Sequence, residues 1–184
     1  MSPPFTILRP ANRYASRLPN LRGALLYKLV TPRHAPARFG EYVVALEPGG
    51  GTSAPVAAGF EDFLYALAGE LAVRADGIEF GLRPGGWCYL PPDMSFELEG
   101  SDGAAELLWV KRRLEPWPEL DQPEARSGHR DDEPFDDTDV PGLRRRELLD
   151  PADPSHDFNM SLLAFDAGVG LARSRSTTRS TAST

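Results

Sequence analysis

Cysteine is nearly absent from this chain. Its 184 residues hold one, Cys88, so no internal disulfide can form and the sequence suits a reducing compartment. Histidine is scarce too. His34, His129 and His156 stand far apart in loop-like or polar segments, where each is expected to face solvent. No apolar run approaches ~18 residues, so nothing reads as a membrane-spanning helix. The N-terminus shows no apolar core with a cleavage site, so no secretory signal is expected and the cytoplasm is the default location. Positive charge is in deficit. Twenty Lys and Arg stand against 27 Asp and Glu, and a net charge of −7 excludes general affinity for nucleic acid or anionic membrane. Sustained helical periodicity with caps is missing from residues 24–113.

What fills that space is a series of short apolar runs separated by turn residues. Strands are predicted over Ala24–Val30, Glu41–Glu47, Phe63–Ala68, Leu71–Arg74, Ile78–Leu82, Trp87–Leu90, Phe96–Leu98 and Glu106–Lys111. Pro48–Gly51, Gly69-Glu70, Asp76-Gly77 and Pro84-Gly85-Gly86 supply the turns, with Gly69-Glu70 reading as a two-residue hairpin. Strands with turns every ~8–12 residues indicate an all-β sandwich or barrel.

The chain also repeats itself. FGEYVVALEPGGG at 39–51 and FNMSLLAFDAGVG at 158–170 align at a shift of 119 positions, Phe39 on Phe158, Ala45 on Ala164, Gly49 on Gly168 and Gly51 on Gly170. After the first copy a β-rich domain follows. After the second comes ARSRSTTRSTAST. The organisation expected is an N-terminal arm over 1–23, a barrel over 24–114, an acidic Pro-rich linker or loop over 115–142, the first strand or strands of an incomplete second barrel over 143–171, and a disordered basic Ser/Thr tail over 172–184. Residues 115–141 carry ten acidic residues and five prolines. LRRRELL at 143–149 fits a short helical turn or a strand, and a strand at Asp157–Phe165 follows. That last strand is expected to have lost its sheet partners, which makes it an exposed apolar edge unless it pairs with the first barrel or another chain. The tail reads as a phosphorylatable basic arm or as an out-of-frame sequence.

FEDFLYALAGEL, then DGIEFGLRPGGWCYLPPDMSF, follow the order of the two cupin motifs. Together with LLWVKRRLEPW and HDFNMSLLAFDAG, they resemble the (S)-ureidoglycine aminohydrolases, bicupin proteins also described as glyoxylate-induced. The resemblance runs over about residues 5–170 and implies a jelly-roll barrel. It also implies a reaction of ureide (allantoin) breakdown, ureidoglycine to ureidoglycolate plus ammonia. A divalent metal, typically manganese, is implied in the second cupin, held by a Glu-x-His-x-x-x-His stretch soon after its first Gly-rich turn and by a later Gln. At that place this sequence reads Leu171, Ala172, Arg173, Ser174, Arg175, Ser176. No His follows His156 and no acid follows Asp166. No catalytic or metal residue of the family carries over, so no cofactor is expected in this chain and catalytic inactivity is expected with it.

The first cupin offers little in exchange. The position of its motif Glu holds Asp62, its two His positions fall within Pro55–Ala58, and the His of its second motif is replaced by Phe96. One carboxylate without imidazole is a poor set for Mn, Fe or Zn. Asp62 and Phe96 are thus positions equivalent to metal ligands that are not expected to bind metal. Asp62 reads as a barrel-mouth carboxylate rather than a catalytic base. Cys88 reads as a buried inert thiol, Lys111-Arg112-Arg113 as a solvated strand end or a carboxylate clamp, and Trp109 and Trp117 as core and inter-domain packing. Ser53 and Ser95 lack a nucleophile-elbow context, and Gly49-Gly50-Gly51 is no phosphate loop. The functional expectation is an aminohydrolase-family protein without its catalytic half. The alternative is a non-catalytic single cupin that binds a small ligand or assembles into a homo-oligomer. A different cupin enzyme, such as a sugar isomerase or dioxygenase, is weaker because the His positions are empty.

Overall fold

The structure is a computed structural model that describes Ala11, 14–31 and 37–170. The expectations for His34, for most of the N-terminal arm and for the tail lie outside the described residues. Among the described residues, thirteen strands are formed. They are β1 (Ala15–Ser16), β2 (Leu21–Val30), β3 (Phe39–Thr52), β4 (Glu61–Ala68), β5 (Leu71–Ala75), β6 (Ile78–Leu82) and β7 (Gly86–Leu90). After these come β8 (Phe96–Gly100), β9 (Ala105–Arg112), β10 (Arg126–His129), β11 (Asp136–Asp137), β12 (Leu143–Leu149) and β13 (Met160–Phe165).

The first ten strands wrap into a jelly-roll barrel. One layer runs β10-β7-β4-β9-β3, with β2 and then β1 continuing beyond β3; the other runs β8-β5-β6. The long β3 joins them. Its first half pairs with β9 from Phe39↔Arg112 to Leu46↔Ala105, and its far end bridges to β8 at Gly51↔Glu99. The chain bends between these halves at Pro48–Gly51, where Gly49 takes φ 66, a conformation that favours glycine.

Alternation along the strands builds the core. Leu64 and Ala66 of β4, Leu107 and Trp109 of β9, and Val44 and Leu46 of β3 turn inward to meet Val73, Cys88, Leu90, Phe96 and Leu98. The opposite faces of β4, β7 and β9 are covered as well. Phe63, Trp87, Tyr89 and Val110 form a second cluster with Leu149, flanked by Phe158 and Met160. That is why β7, Gly-Trp-Cys-Tyr-Leu, is buried at every position.

Asp76-Gly77 makes the expected tight hairpin between β5 and β6, with φ 47 and φ 81 at its two residues. Gly69-Glu70 does not make the hairpin read from the sequence. β4 pairs with β7 and β9, whereas β5 pairs with β6 and β8, so this turn carries the chain from one layer to the other. Gly69 sits there at φ 69, and a Cβ would lie 2.2 Å from the Ala104 carbonyl oxygen. The acidic stretch also contains more than a connection, because Arg126–His129 pair antiparallel with β7.

The remaining strands form a separate sheet, β11-β12-β13. Asp157–Phe165 was expected to lack a partner. Its strand, Met160–Phe165, pairs antiparallel with β12 instead, which settles Leu143–Leu149 as a strand. This pair is a copy of β2–β3. Ala24↔Leu46, Leu26↔Val44 and Lys28↔Tyr42 recur as Leu143↔Phe165, Arg145↔Leu163 and Glu147↔Ser161, each residue displaced by 119 positions. The register shift recurs as well, before Val30↔Glu41 in one and before Leu149↔Met160 in the other. Gly23 and Gly49 have positive φ, and so do Gly142 and Gly168. Among the described residues, the second sheet therefore repeats the strand pair that opens the first barrel.

Candidate functional site

The mouth of the first barrel is where cupin chemistry is expected, and the first two residues of β4 divide it. Asp62 points inward and is 1% exposed. It accepts a 2.6 Å hydrogen bond from Trp109 Nε1, and Lys111 Nζ lies 4.0 Å from the same oxygen. Lys111 also sits over the rings of Phe60 and Trp109, 4.2 and 5.1 Å from their centroids. Burial pushes the Asp62 carboxyl up to about 6, against the opposing pull of the Lys111 charge and the Trp109 hydrogen bond.

Phe96 stands 1% exposed with its ring edge against Trp109, centroids 5.8 Å apart. Its backbone bridges to Val56, which is buried and falls in the stretch where the two first-motif histidines would stand. Asp62 and Phe96 thus converge on one indole. Around them are Tyr42, its ring 5.9 Å from Trp109, and the fully buried Cys88, whose thiol is pushed up by burial and by the Asp62 charge. A thiol held in its neutral form is a poor nucleophile, as the sequence suggested.

These residues do not fit a divalent metal. A transition ion needs several imidazole, carboxylate or thiolate ligands converging on one point. Here a single carboxylate is already committed to an indole N–H and an ammonium, and Val56 and Phe96 fill the other positions with hydrocarbon. Among the described residues no group of three or more His, Cys, Asp or Glu is placed to hold a metal.

The other residue of the pair, Glu61, points out of the barrel and is 0% exposed. Its carboxylate accepts the Tyr89 hydroxyl at 2.8 Å and the Asp157 backbone N–H at 3.2 Å. Burial raises its pKa, with these bonds and the nearby Arg112 charge acting the other way. Arg112 in turn donates to the Asp157 carbonyl and lies 3.5 Å from its carboxylate. Nearby, Arg126 donates to Asp153 at 3.0 Å. Hydrogen bonds from Ser155, and then from Arg126, hold the Asp153 carboxyl down at about 2 despite some burial.

His156 belongs to this junction. It is buried against Tyr89, ring centroids 5.5 Å apart, and burial lowers its pKa. The expectation of a solvent-facing His156 is therefore corrected. His129 is also partly buried, with Nε2 3.0 Å from the Pro84 carbonyl oxygen. Trp117, expected in packing, is 65% exposed. The basic run at 111–113 acts as a clamp on the chain's own acids, Lys111 on Asp62 and Arg112 on Asp157. The junction around Glu61 escaped the sequence reading. Its signal was the β4 alternation itself, because apolar residues at Phe63 and Tyr65 announce a covered outer face.

A surface groove of about 750 Å³ is lined by Arg74, Glu79, Glu99, Trp87, His129 and Asp132, among others. Arg74 pairs there with both Glu79 and Glu99.

No protein-family model matches the chain. Over 169 residues, 90% of this chain, it is 30% identical to the (S)-ureidoglycine aminohydrolase of Escherichia coli (strain K12). The chain is a relative of the (S)-ureidoglycine aminohydrolases. It spans 63% of that aminohydrolase's length. Among solved structures, an E. coli protein named Ylba is 26% identical with a TM-score of 0.76, covering 89% of this chain and 65% of its own. A Pseudomonas aeruginosa protein described as glyoxylate-induced superposes with a TM-score of 0.77 at 22% identity, over 83% of this chain and 59% of its own. The fold is thus a cupin jelly roll, and the aminohydrolase resemblance reaches across the acidic stretch into the second sheet.

Proposed function

We propose that this chain represents the N-terminal cupin and the opening strands of the second cupin of an (S)-ureidoglycine aminohydrolase-type protein of ureide catabolism. The first barrel serves as a scaffold, and the chain alone does not hydrolyse ureidoglycine. The observation that carries the reading is the combination of 30% identity across 90% of the chain with a first-barrel interior closed by Val56, Phe96 and Trp109. Identity over that span supports the family reaction and its small ureide substrate. The packed interior supports placing the chemistry elsewhere than in this barrel. Manganese, which the family uses, finds no fitting ligand set at Asp62 and Phe96. Beyond Gly170 the sequence carries neither His nor acid. A cytoplasmic location accords with the single cysteine.

The test is ammonia release from freshly prepared ureidoglycine with and without added manganese. The expected rate equals the spontaneous one. Turnover above it would overturn the scaffold reading. A non-catalytic single cupin is the second reading, favoured by the 750 Å³ groove beside β6 and β10. Thermal shifts on adding ureides or small carboxylates would support it.

A further inference from the structure

The strand order of the first barrel ends at β6 and at β10. β6 pairs with β5 from Leu71↔Leu82 to Ala75↔Ile78, and among the described residues no strand pairs with its other edge. The hairpin fixes which backbone groups that edge offers. In a two-residue hairpin the residues flanking the turn, here Ala75 and Ile78, exchange both hydrogen bonds. Bonded and non-bonded pairs alternate from there. Ile78, Phe80 and Leu82 therefore spend their N–H and C=O groups on β5, while Glu79 and Gly81 turn theirs away from it. Both residues line the 750 Å³ groove. At the end of β10, the His129 N–H donates to the Asp132 carboxylate at 2.5 Å, and its carbonyl accepts the Asp132 N–H at 3.0 Å. β6 has no such cap among the described residues, and its sequence Ile-Glu-Phe-Gly-Leu carries neither the lysine nor the proline that shields many sheet edges.

We propose that the β6 edge takes up an extended, basic segment of another polypeptide as an added strand, held by the outward groups of Glu79 and Gly81. In such an addition main-chain hydrogen bonds supply affinity and alternate side chains select the partner. Along β6, Glu79 and Gly81 share one face, and Ile78 and Phe80 share the other. The Glu79 face is acidic. Arg74 of β5 pairs there with both Glu79 and Glu99, so one cation faces two anions. Glu70 and Asp132 add two acids to the groove against Arg83. Basic side chains on the added strand would stand beside Glu79 as favourable cross-strand pairs. A Cβ at Gly81 would meet nothing within 4 Å, which leaves those side chains room. On the other face, the exposed Ile78 and the partly buried Phe80 offer hydrocarbon to the residues between. Charge also decides against a second copy of this chain. Two β6 edges side by side would bring the same acids together, in a protein of net charge −7. The groove residues all fall between positions 70 and 132, ahead of the second sheet, so the site is built by the first barrel.

The experiment is calorimetric titration of the full chain with a capped peptide of alternating lysine and valine, about 6 residues long, a usual strand length. Saturable binding that weakens with added salt is expected. A peptide with glutamate in place of lysine, and a lysine–valine peptide methylated on its backbone nitrogens, should each bind at least ~10-fold more weakly. Amide chemical shifts of the labelled protein should move most at Glu79 and Gly81. Gly81→Pro removes an N–H that points away from β5, a change an edge strand tolerates. It should weaken binding at least ~10-fold, whereas Gly81→Ala keeps the N–H and should bind like wild type. Circular dichroism confirms that both variants are folded. If the proline variant does not fold, the methylated peptide and the amide shifts decide on wild-type protein. No binding of the lysine–valine peptide, equal binding of the glutamate or methylated peptide, or a folded Gly81→Pro variant that binds like wild type would overturn the proposal.

Discussion

Leu46 and Phe165 occupy the same place in two copies of one strand pair, with the same partner register and the same bulge, yet one is 2% exposed and the other 43%. Strand pairing is therefore specified locally, by alternation and by the Gly-rich turns. Burial is not. Leu46 is enclosed because β8 and β5 return across the barrel to meet it, and among the described residues nothing returns across Phe165. The second copy is held at its other face, where Leu149 and Met160 join Phe63, Trp87 and Tyr89, and where Glu61 receives the Asp157 N–H.

The largest test of this contrast is a matched pair of truncations. Leu46→Ala removes a fully packed side chain and should cost about 2–5 kcal/mol, since lost transfer energy and a residual cavity add. Phe165→Ala removes more atoms from a half-exposed site. It should cost under about 1 kcal/mol in the monomer. Urea unfolding of each variant measures both values. A loss at Phe165 as large as that at Leu46 would show that its face is covered after all.

The barrel was legible in the sequence because its strands alternate, and its turns carry Gly and Pro where the backbone needs them. What could not be read was the use of the second face. Glu61 and Asp62 are neighbours of similar chemistry, and alternation says only that they part company. Which one meets a lysine and which one meets a second sheet depends on residues ~50 to 100 positions away. His156 was misread for the same reason: Asp and Ser around it suggest a solvated loop, but Tyr89 and the outer face of β7 take up its ring. The Gly69-Glu70 turn failed as a hairpin because a two-residue turn in a jelly roll can equally turn the corner between layers.

A second test separates the two acids by pH. Asp62 is raised from 3.8 to about 6 in the folded protein. The unfolded chain therefore ionises this group first, and its contribution to stability is lost as pH rises from about 4 to about 6. The two-unit shift corresponds to about 3 kcal/mol. Asp62→Asn keeps an acceptor for Trp109 Nε1 and should flatten this loss, so the variant gains on wild type across that window. Glu61, also raised, acts in the same direction, while His156, lowered by burial, acts oppositely and loses stability as pH falls below about 6.5. Both remain in the variant, so the difference between the two proteins isolates Asp62. Parallel pH–stability curves would place the charge of Asp62 in a far better solvated setting than its contacts indicate.

The smallest effect asks whether the two copies unfold together. Gly49 and Gly168 are equivalent, at φ 66 and φ 84, and a Cβ at either would meet nothing within 4 Å. Alanine at each position therefore introduces backbone strain alone, worth about 1 kcal/mol. At Gly49 that cost falls within the barrel and should appear in full in its unfolding free energy. At Gly168 it falls on the turn after β13. If β11–β13 come apart only when the barrel does, the same ~1 kcal/mol appears there too. Should the second sheet open first, Gly168→Ala leaves the barrel's transition unchanged and instead raises amide exchange along β12 and β13. The contacts of Leu149, His156 and Asp157 with the barrel favour the coupled outcome, and hydrogen exchange at Arg144–Glu147 against Leu25–Lys28 reads the answer directly.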